Sequence, residues 1–294
     1  MISTTWDRMT LEQYRCFYAE EIRTVANIDS VALADAFARV PREQFLGPPP
    51  WYFRSGRSIK QPVYRTTTNA RDVYHDVAVA LKAGQLLNNG QPSLIARMIA
   101  ALNLAAGKRA VHIGCGTGYY TAIIAEVVGS EGAVTALEMD RDLAVQSTAN
   151  LIGYDQVTVR NWDGADFEPG PSDAILVNAG VTQPHPAWLE CLREGGVLVL
   201  PLCVGKSPNS RDAIVLKITK KENRYSADLL LLMTIYSSTS MHDPDLKLRL
   251  NESLESRSIV RLQSVRIEEH SRNDTCIVHT PSFCLSAETV SPAE

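Results

Sequence analysis

Long hydrophobic runs are missing from this chain of 294 residues. The longest apolar stretch, around residues 227–235, has the length of a strand, whereas a membrane helix needs about 18 or more apolar residues. The N-terminus also lacks the apolar core of a secretion signal. These absences argue against a membrane partner and predict a soluble protein of the cytoplasm.

An excess of basic residues is missing as well. The chain has 29 Lys and Arg against 33 Asp and Glu, which gives a net charge of −4. Proteins that bind duplex DNA or RNA usually carry a strong basic excess, so we do not expect nucleic acid as a partner. With 45% hydrophobic and 21% charged residues, the composition is that of a globular protein with a large core.

Cysteines are few, and none of them forms a C-x-x-C pair. The six are Cys16, Cys115, Cys191, Cys203, Cys276 and Cys284. A disulfide framework is not expected in so large a chain without a secretion signal. Cys276, His279 and Cys284 lie close together in the sequence, but no second group of ligands accompanies them. The sequence therefore predicts buried or inert thiols and no metal site.

Short apolar runs alternate with helical patterns through the middle of the chain. Strands are predicted at residues 109–113, 133–138, 157–160, 174–178 and 197–202. This alternation indicates an α/β fold, in which a mostly parallel, twisted sheet is covered by helices on both faces. Two later runs, 213–219 and 227–236, have no helix between them and predict an antiparallel hairpin.

Two regions flank this core. Residues 1–91 begin with two predicted helices and continue through a stretch rich in breakers and aromatics, which we assign to a lid or substrate segment. Residues 92–240 form the predicted cofactor-binding core. Residues 241–294 form an extension with one helix, two strands (260–267 and 275–278) and a frayed end from residue 286.

The most informative motif is a glycine-rich turn that contains Gly114, Gly116 and Gly118. It follows a buried strand and opens a helix. Glycine is needed there because the chain must turn tightly and let its backbone approach a ligand. The spacing is G-x-G-x-G, whereas the dinucleotide fingerprint is G-x-G-x-x-G.

Two acidic positions extend this motif. Glu138 ends the second predicted strand, 20 residues after Gly118, where a carboxylate can accept both ribose hydroxyls of a nucleoside. Asp163 and Gly164 follow the third strand, where an acid can accept from an adenine amino group and a glycine makes room for the ring. The glycine-rich turn, Glu138 and the Asp163-Gly164 pair stand at the ends of three successive predicted strands. Together they predict a nucleoside cofactor, and S-adenosylmethionine (SAM) fits the spacing better than NAD.

Several segments resemble the protein-L-isoaspartate O-methyltransferase family. They follow one another in the same order as in the family and together span roughly residues 10–240. They are residues 32–46 (ALADAFARVPREQFL), 74–76 (YHD), 90–98 (GQPSLIARM), 111–122, 163–164 and 195–201 (GGVLVLP). The helix that ends in Val-Pro-Arg-Glu-Gln-Phe at residues 40–45 is the most diagnostic, because general SAM methyltransferases lack it. The resemblance implies a Rossmann-like class I methyltransferase fold and methyl transfer from SAM to a carboxylate oxygen.

The resemblance also implies roles for individual residues. Cofactor contacts are implied for Asn89, Gly90, Gln91, Gly114, Gly116, Gly118, Glu138, Asp163 and Gly164. Within this set, the loop of residues 89–91 would lie over the methyl and methionyl end of SAM. An ungapped match of residues 235–240 to a late loop of the family would put Ser240 near the active site.

No catalytic residue follows from the sequence, since a carboxylate acceptor is already ionised at pH 7 and needs no general base. If the acceptor were an alcohol or a phenol, His75 and Asp76 would be the candidate bases; alternatively, His75 is a packed or surface histidine and Asp76 a helix cap. Asn178 is a further candidate for the acceptor site; alternatively, its side chain satisfies the backbone of its own loop. It opens the segment Asn-Ala-Gly-Val, where nitrogen methyltransferases tend to carry Asn-Pro-Pro-Tyr, so methylation of nucleic-acid bases is disfavoured.

One departure from the family shapes the functional hypothesis. The family typically reads Thr-Ile-Ser before its Gln-Pro pair, whereas this chain reads Asn88-Asn89-Gly90, so Gly90 replaces a serine regarded as an active-site residue. We therefore expect a SAM-dependent carboxyl O-methyltransferase with an altered acceptor, such as an aspartyl or isoaspartyl peptide or a small acid. The alternatives are a genuine isoaspartyl repair enzyme and a SAM-binding protein without catalysis. The sequence does not predict the oligomeric state.

Overall fold

A computed structural model describes residues 9–54, 64–81, 87–207 and 209–290. Its helices are α1 (Leu11–Val25), α2 (Val31–Arg39), α3 (Pro92–Ala101), α4 (Tyr119–Val128), α5 (Arg141–Asn150), α6 (Pro186–Glu190) and α7 (Pro244–Glu255). Its strands are β1 (Trp51–Arg54), β2 (Tyr64–Thr67), β3 (Arg109–Ile113), β4 (Ala133–Glu138), β5 (Val157–Asn161), β6 (Ser172–Val177), β7 (Leu192–Cys203), β8 (Asp212–Lys221), β9 (Arg224–Thr234), β10 (Ser264–Arg266), β11 (Cys276–His279) and β12 (Cys284–Ser286). Within these ranges, no helix is both long enough and apolar enough to cross a membrane. Parts of the predicted lid segment (1–8, 55–63 and 82–86) and of the predicted frayed end (291–294) lie outside the described residues.

One large sheet organises the fold. In the described residues this sheet has ten strands, which lie in the order β11-β12-β10-β9-β8-β7-β6-β3-β4-β5. The strands β5, β4, β3, β6 and β7 are parallel to one another, and β8 pairs antiparallel with β7. The order reverses between β3 and β6, because β4 and β5 extend the sheet on one side and β6 and β7 on the other. The predicted α/β fold with a mostly parallel sheet is confirmed.

Hydrophobic layers cover both faces of this sheet, as β6 shows. Ala174 and Leu176 pack into the layer that contains helices α1 to α4, whereas Ile175 and Val177 pack into the layer with α6 and α7. Successive side chains of a strand point to opposite faces. A strand buried on both faces is therefore apolar at every position, which is why the sequence reads as continuous apolar runs here.

The N-terminal helices begin at polar caps. Thr10 and Gln13 form a reciprocal capping box at the start of α1, with distances of 3.2 Å from Gln13 N to Thr10 Oγ1 and 2.8 Å from Thr10 N to Gln13 Oε1. The Ser30 hydroxyl accepts from Leu33 N at the start of α2. Both predicted helices are present, and α2 packs against α4 beside the glycine-rich turn. This extension therefore forms one wall of the core.

The C-terminal part differs in detail from its prediction. The antiparallel hairpin of β8 and β9 and the following helix are present. The strand predicted at 260–267 is instead a 3-10 helix (Ser258–Arg261) followed by the short strand β10. A third strand, β12, was missed because three residues are too few to show an alternating pattern. Ser286 pairs with Ser264 in the sheet, so the frayed end does not begin at residue 286.

Candidate functional site

A cavity of about 420 Å³ lies at the carboxyl ends of the parallel strands. Ile113 at the end of β3, Glu138 at the end of β4 and Val177 at the end of β6 all line it. Ligands of open α/β sheets bind at this edge, at the point where the strand order reverses. The volume is in the range of cavities that hold small ligands. The fold therefore places one ligand site where the predicted motifs converge.

The glycine-rich turn forms the wall of the cavity between β3 and α4. Gly114, Gly116 and Gly118 have φ values of +75°, +57° and +91°, which side chains other than glycine rarely adopt. Gly114 and Gly116 line the cavity, and their contacts with the cofactor stay predictions. Gly118 is not among the described lining residues. It is the N-cap of α4, and a Cβ there would lie 2.8 Å from Leu151 Cδ1, so packing as well as conformation requires glycine.

Glu138 is anchored by two backbone amides and is only 8% exposed. Its Oε2 accepts from Gly116 N at 2.8 Å, and its Oε1 accepts from Asp140 N at 3.0 Å. Each carboxylate oxygen can accept a further hydrogen bond. Burial raises the pKa of Glu138, and the two amide hydrogen bonds oppose this rise. Glu138 thus presents an oriented pair of acceptors to the cavity, which suits a vicinal diol.

Asp163 and Gly164 lie opposite the glycine turn, after β5. Asp163 Oδ1 accepts from Ala165 N and from the Ser240 hydroxyl, both at 3.0 Å. The Gly164 carbonyl accepts from Trp188 Nε1 at 3.1 Å. A Cβ on Gly164 would lie 2.5 Å from Ile113 Cγ2, so only glycine fits between β3 and the cavity. Both predicted positions line the site.

Ser240 does not itself line the cavity among the described residues, although Ser238, Thr239 and Met241 do. Its side chain is exposed and acts on the site through Asp163. The loop that carries it is joined to the end of β6, because Gly180 N donates to Tyr236 O at 2.6 Å. Asn178 lies at this junction and lines the cavity, and its contact with an acceptor stays a prediction.

The loop of residues 88–91 contributes to another wall of the cavity. Asn88 and Asn89 line the cavity, but among the described lining residues Gly90 and Gln91 do not appear. Gly90 has a φ of +79°, and a Cβ there would lie 2.9 Å from Ile95 Cγ1. Gly90 O instead accepts from the Tyr120 hydroxyl at 3.3 Å. The predicted contacts of Gly90 and Gln91 with the cofactor stay predictions.

His75 and Asp76 do not line the cavity either, as far as the described residues show. Asp76 accepts from Ser93 N at 2.8 Å, from the Ser93 hydroxyl at 2.7 Å and from Gln91 Nε2 at 2.8 Å. It therefore holds the N-terminus of α3, which is the capping alternative considered for it. The His75 side chain is exposed. Contact of these two residues with a substrate stays a prediction.

Arg42 is a residue whose role the sequence does not indicate. Its guanidinium is fully buried and donates to the carbonyls of Val73 (2.6 Å), His75 (3.0 Å) and Val77 (2.7 Å). It also donates to Asn89 Oδ1 at 3.3 Å, and the same oxygen accepts from Val79 N at 2.9 Å. Arg42 thus fixes the segment before the cavity loop. The only sequence signal is its place in the diagnostic segment 40–45.

The lining fits SAM by its chemistry. Glu138 offers two hydrogen-bond acceptors for ribose hydroxyls. Asp163 offers an acceptor for an adenine amino group, and Gly164, without a side chain, leaves room for the ring. The helix α4 begins at the cavity with Tyr119 and Tyr120, and the N-terminus of a helix favours a carboxylate. Trp162, next to Asp163 and 52% exposed, adds an aromatic surface that sequence reasoning missed. The residues present therefore match a nucleoside joined to an amino acid.

Comparison with known proteins decides the family. The family model described as Protein-L-isoaspartate(D-aspartate) O-methyltransferase (PCMT) matches residues 18–237 of this chain. The chain belongs to the PCMT family. A protein-L-isoaspartate O-methyltransferase from Ignicoccus hospitalis is 34% identical to it over 162 residues, which are 54% of this chain and 74% of that relative. Protein-L-isoaspartate O-methyltransferase 1 from Archaeoglobus fulgidus is 32% identical over 198 residues, which are 66% and 82% of the two chains.

Solved structures share the PCMT fold. One protein-L-isoaspartate O-methyltransferase matches with a TM-score of 0.61 and 24% identity, and covers 85% of this chain and 70% of its own. A Plasmodium falciparum protein assigned as a PCMT, solved in complex with S-adenosyl-L-homocysteine, matches with a TM-score of 0.58 and 20% identity over 76% and 97% of the two chains. The predicted family, class I methyltransferase fold and cofactor are confirmed. The protein is a SAM-dependent methyltransferase of the PCMT family.

Proposed function

We propose that this PCMT-family protein transfers the methyl group of SAM to the carboxylate of an isoaspartyl residue in a peptide or protein. The observation that carries the proposal is the kind of side chain around the cavity. Its described lining contains no histidine and no lysine. Burial raises the pKa of the Cys115 thiol to about 12 and raises the pKa values of Tyr119 and Tyr120. These groups are neutral at pH 7, and the three carboxylates of the lining, Glu138, Asp140 and Asp163, each accept a hydrogen bond from a backbone amide. A carboxylate acceptor, which is ionised without a base, therefore suits the site.

The protein then contributes by positioning SAM and the acceptor carboxylate and by excluding water from them. When bound, SAM supplies an electrophilic methyl group on a sulfonium. Glu138 holds the ribose hydroxyls, Asp163 accepts from the adenine amino group, and Gly164 leaves space for the ring. Apolar side chains such as Ile113 and Val177 exclude water from the cavity and thereby leave an acceptor carboxylate less shielded. Correct placement of the two reactants supplies the rest of the rate.

The PCMT relatives support an isoaspartyl acceptor. The proteins from Ignicoccus hospitalis and Archaeoglobus fulgidus carry the name protein-L-isoaspartate O-methyltransferase, and their matches extend over most of their own length. The match of residues 18–237 to the family model includes much of the segment before the core, which we assign to the acceptor side.

A second candidate is a carboxyl O-methyltransferase with an altered acceptor, for example an ordinary aspartyl side chain or a small acid. The conformation of Gly90 favours it. With a φ of +79° and Ile95 beside it, this position does not readily accept the family's serine. The loop has therefore adapted to glycine, and a changed loop at this place would change what binds next to the methyl group.

The experiment is transfer of labelled methyl from SAM to an isoaspartyl peptide. The matching aspartyl peptide and a reaction without acceptor serve as controls, and binding of SAM and NAD to the same preparation is measured by calorimetry. We expect selective labelling of the isoaspartyl peptide, and binding of SAM but not of NAD.

Each other outcome rejects the proposal in a different way. Labelling of the aspartyl peptide or of a small acid, without preference for the isoaspartyl peptide, would establish the altered acceptor. SAM binding without labelling of any carboxylate would indicate a SAM-binding protein that no longer catalyses. The Glu138→Ala variant must lose labelling in parallel with SAM affinity if the signal comes from this cavity.

A further inference from the structure

Four side chains that commonly bind metals meet near the outer edge of the sheet. Cys276 and His279 lie on β11, Cys284 begins β12, and His270 lies in the loop between β10 and β11. Their ligand atoms all lie within 4.8 Å of one another. The described lining of the cofactor cavity includes none of the four, so the cluster is a separate site.

The hairpin of β11 and β12 brings three of these side chains together. His279 pairs directly with Cys284 across the two strands. Cys276 and His279 are three residues apart, so a regular strand would point them to opposite faces. The pairing register shifts between Cys276 and Val278, which is a bulge, and a bulge re-aims the side chains beside it. An irregularity in the strand therefore makes the cluster possible.

The distances are close to those of a coordinated ion. Cys276 Sγ lies 3.6 Å from His270 Nε2, and the ring centroids of His270 and His279 are 4.6 Å apart. Around a tetrahedral zinc ion with bonds of about 2.0–2.3 Å, neighbouring ligand atoms are separated by about 3.3–3.8 Å. Since no pair in the cluster exceeds 4.8 Å, side-chain movements of about an ångström would complete the coordination.

The histidine nitrogens have the contacts of metal ligands. His270 Nδ1 lies 2.9 Å from the carbonyl of Glu268, which leaves Nε2 toward Cys276. Metal-binding histidines donate their second ring nitrogen in this way, commonly to a backbone carbonyl. His279 Nδ1 is buried and has no hydrogen-bond partner in the described structure. Cys276 Sγ accepts from Asn273 N at 3.4 Å and, as a thiol, donates to Asn273 Oδ1 at 3.3 Å. On metal binding the thiol proton would be released, and the amide contact would remain for the thiolate.

We propose that His270, Cys276, His279 and Cys284 bind a zinc ion. Two thiolates and two neutral imidazoles in a tetrahedron are the ligand set of structural zinc sites, and two thiolates balance the charge of Zn²⁺. Four protein ligands leave no open position for a substrate, so the site is structural rather than catalytic. The sequence alone predicts no metal, because Cys276, His279 and Cys284 lack a fourth ligand until the fold adds His270.

Zinc at this place would tie the loop after β10 to the β11–β12 hairpin. His270 is otherwise attached to the hairpin through the contact of its ring with His279 and the weak contact with Cys276. Metal–ligand bonds would replace these contacts, and the two thiols would release their protons on binding. Loss of the metal should therefore loosen the C-terminal strands first.

The test is the metal content of the purified full chain, measured by inductively coupled plasma mass spectrometry. The preparation is made under reducing conditions, with zinc in the growth medium and no affinity tag that binds metal. We expect about one zinc ion per chain. Cys276→Ser and Cys284→Ser should each lower the zinc content at least tenfold, and Cys16→Ser, at an exposed cysteine away from the cluster, should leave it unchanged.

Cobalt reports on the same site without any substitution. The zinc-free protein titrated with Co²⁺ should show the visible bands of tetrahedral coordination and thiolate-to-cobalt charge transfer, saturating at about one ion per chain. Removal of zinc with a chelator should also lower the thermal midpoint of the unmodified protein. These two measurements keep the proposal testable even if the cysteine variants fail to fold.

Specific results would overturn the proposal. One is the absence of zinc in the purified protein together with a cobalt spectrum that lacks thiolate bands. Another is a disulfide between Cys276 and Cys284, detected by peptide mapping of protein purified with its thiols protected. Equal loss of zinc in Cys16→Ser and in the cluster variants would place the metal elsewhere.

Discussion

The guanidinium of Arg42 donates to the side-chain oxygen of Asn89 across 47 residues of sequence, at 3.3 Å. Asn89 lines the cofactor cavity, whereas Arg42 lies behind it, buried between the rings of Tyr18 and Tyr119 at 5.7 and 5.8 Å. The diagnostic segment of the PCMT family is thus joined to the cofactor loop by one side chain. A residue outside the cavity lining thus holds the loop that carries Asn89 into that lining.

Arg42→Lys should destabilise the fold and weaken SAM binding together. A lysine keeps the charge but cannot match the fork that serves three carbonyls and Asn89. We expect a loss of roughly 3 kcal/mol in the free energy of unfolding, measured by urea denaturation, because buried acceptors lose their partners. Arg39→Lys, at an exposed ion pair with Glu126, is the control and should change stability by less than about 1 kcal/mol. Equal effects of the two variants would contradict this role of Arg42.

Glu138→Ala should weaken SAM binding by roughly 1–3 kcal/mol, which is about fivefold to 150-fold in Kd, because ribose hydroxyls lose their acceptors. Calorimetric titration with SAM measures this. Glu131→Ala removes an exposed carboxylate of the same kind and is the matched control. Unchanged affinity in Glu138→Ala would refute the ribose role.

SAM affinity should fall as the pH is lowered through the pKa of Glu138. Burial raises this pKa, so the decline should begin at a higher pH than for an exposed glutamate. Hydroxyl groups donate to the ionised carboxylate, which means that binding favours the deprotonated form. Below the pKa of the free protein, the Kd should rise by up to about tenfold per pH unit. In Glu138→Gln this dependence should be absent, and a parallel profile in both proteins would assign it to another group.

Gly90→Ser should not restore the family's loop. The left-handed backbone and the approach of 2.9 Å to Ile95 Cγ1 should cost about 1–3 kcal/mol of stability. We expect a lower denaturation midpoint and no gain in methylation of isoaspartyl peptide. Gly153→Ser is the control, since a Cβ there would have nothing within 4 Å. A Gly90→Ser protein as stable as the parent and more active would show that the loop can accept the serine.

His112 should make the fold sensitive to acid. Burial in β3 lowers its pKa to about 3, and its Nδ1 is paired with the Thr121 hydroxyl at 2.8 Å. Below about pH 6.5 the unfolded chain takes up a proton that the folded chain does not, so stability falls with pH and the effect ends only near the folded pKa. The slope due to this group approaches about 1.4 kcal/mol per pH unit. Urea midpoints from pH 7 to 5 should fall less in His112→Gln than in the parent, whereas His75→Gln, at an exposed histidine, should behave like the parent.

The parallel core was predictable from sequence because burial on both faces imposes a strong pattern. β3 (Arg109–Ile113) and β4 (Ala133–Glu138) begin and end where predicted, and the places of Glu138 and Asp163 follow from the ends of β4 and β5. The predictions failed where elements are short. The strand expected at 260–267 is mostly helical turn, and β12 has only three residues, so its place depends on pairing with β10 rather than on its own sequence.

The site was predictable only in part for a similar reason. Motif spacing indicates Glu138, Asp163 and Gly164 because local turns fix them to strand ends. For Asp76 it leaves a base and a helix cap as alternatives and does not indicate α3 as the helix that is capped. It does not indicate that Arg42 reaches Asn89, since that contact joins distant parts of the chain. Packing between elements, rather than pattern within them, determines such residues.

The short strands after α7 have a consequence for the behaviour of the whole molecule. They place β10, β12 and β11 outside β9, so the sheet ends in strands of three or four residues with a bulge, and the eleven-residue β9 is not its terminal strand. A long terminal strand offers a row of backbone groups to which another chain can add. The C-terminal extension pairs with the start of β9, at Tyr225 and Ser226, and its helix α7 contributes Leu246 and Leu250 to the apolar layer on one face of the sheet. Shortening the chain before the extension would expose that strand edge and that apolar layer together, and we expect the shortened protein to self-associate.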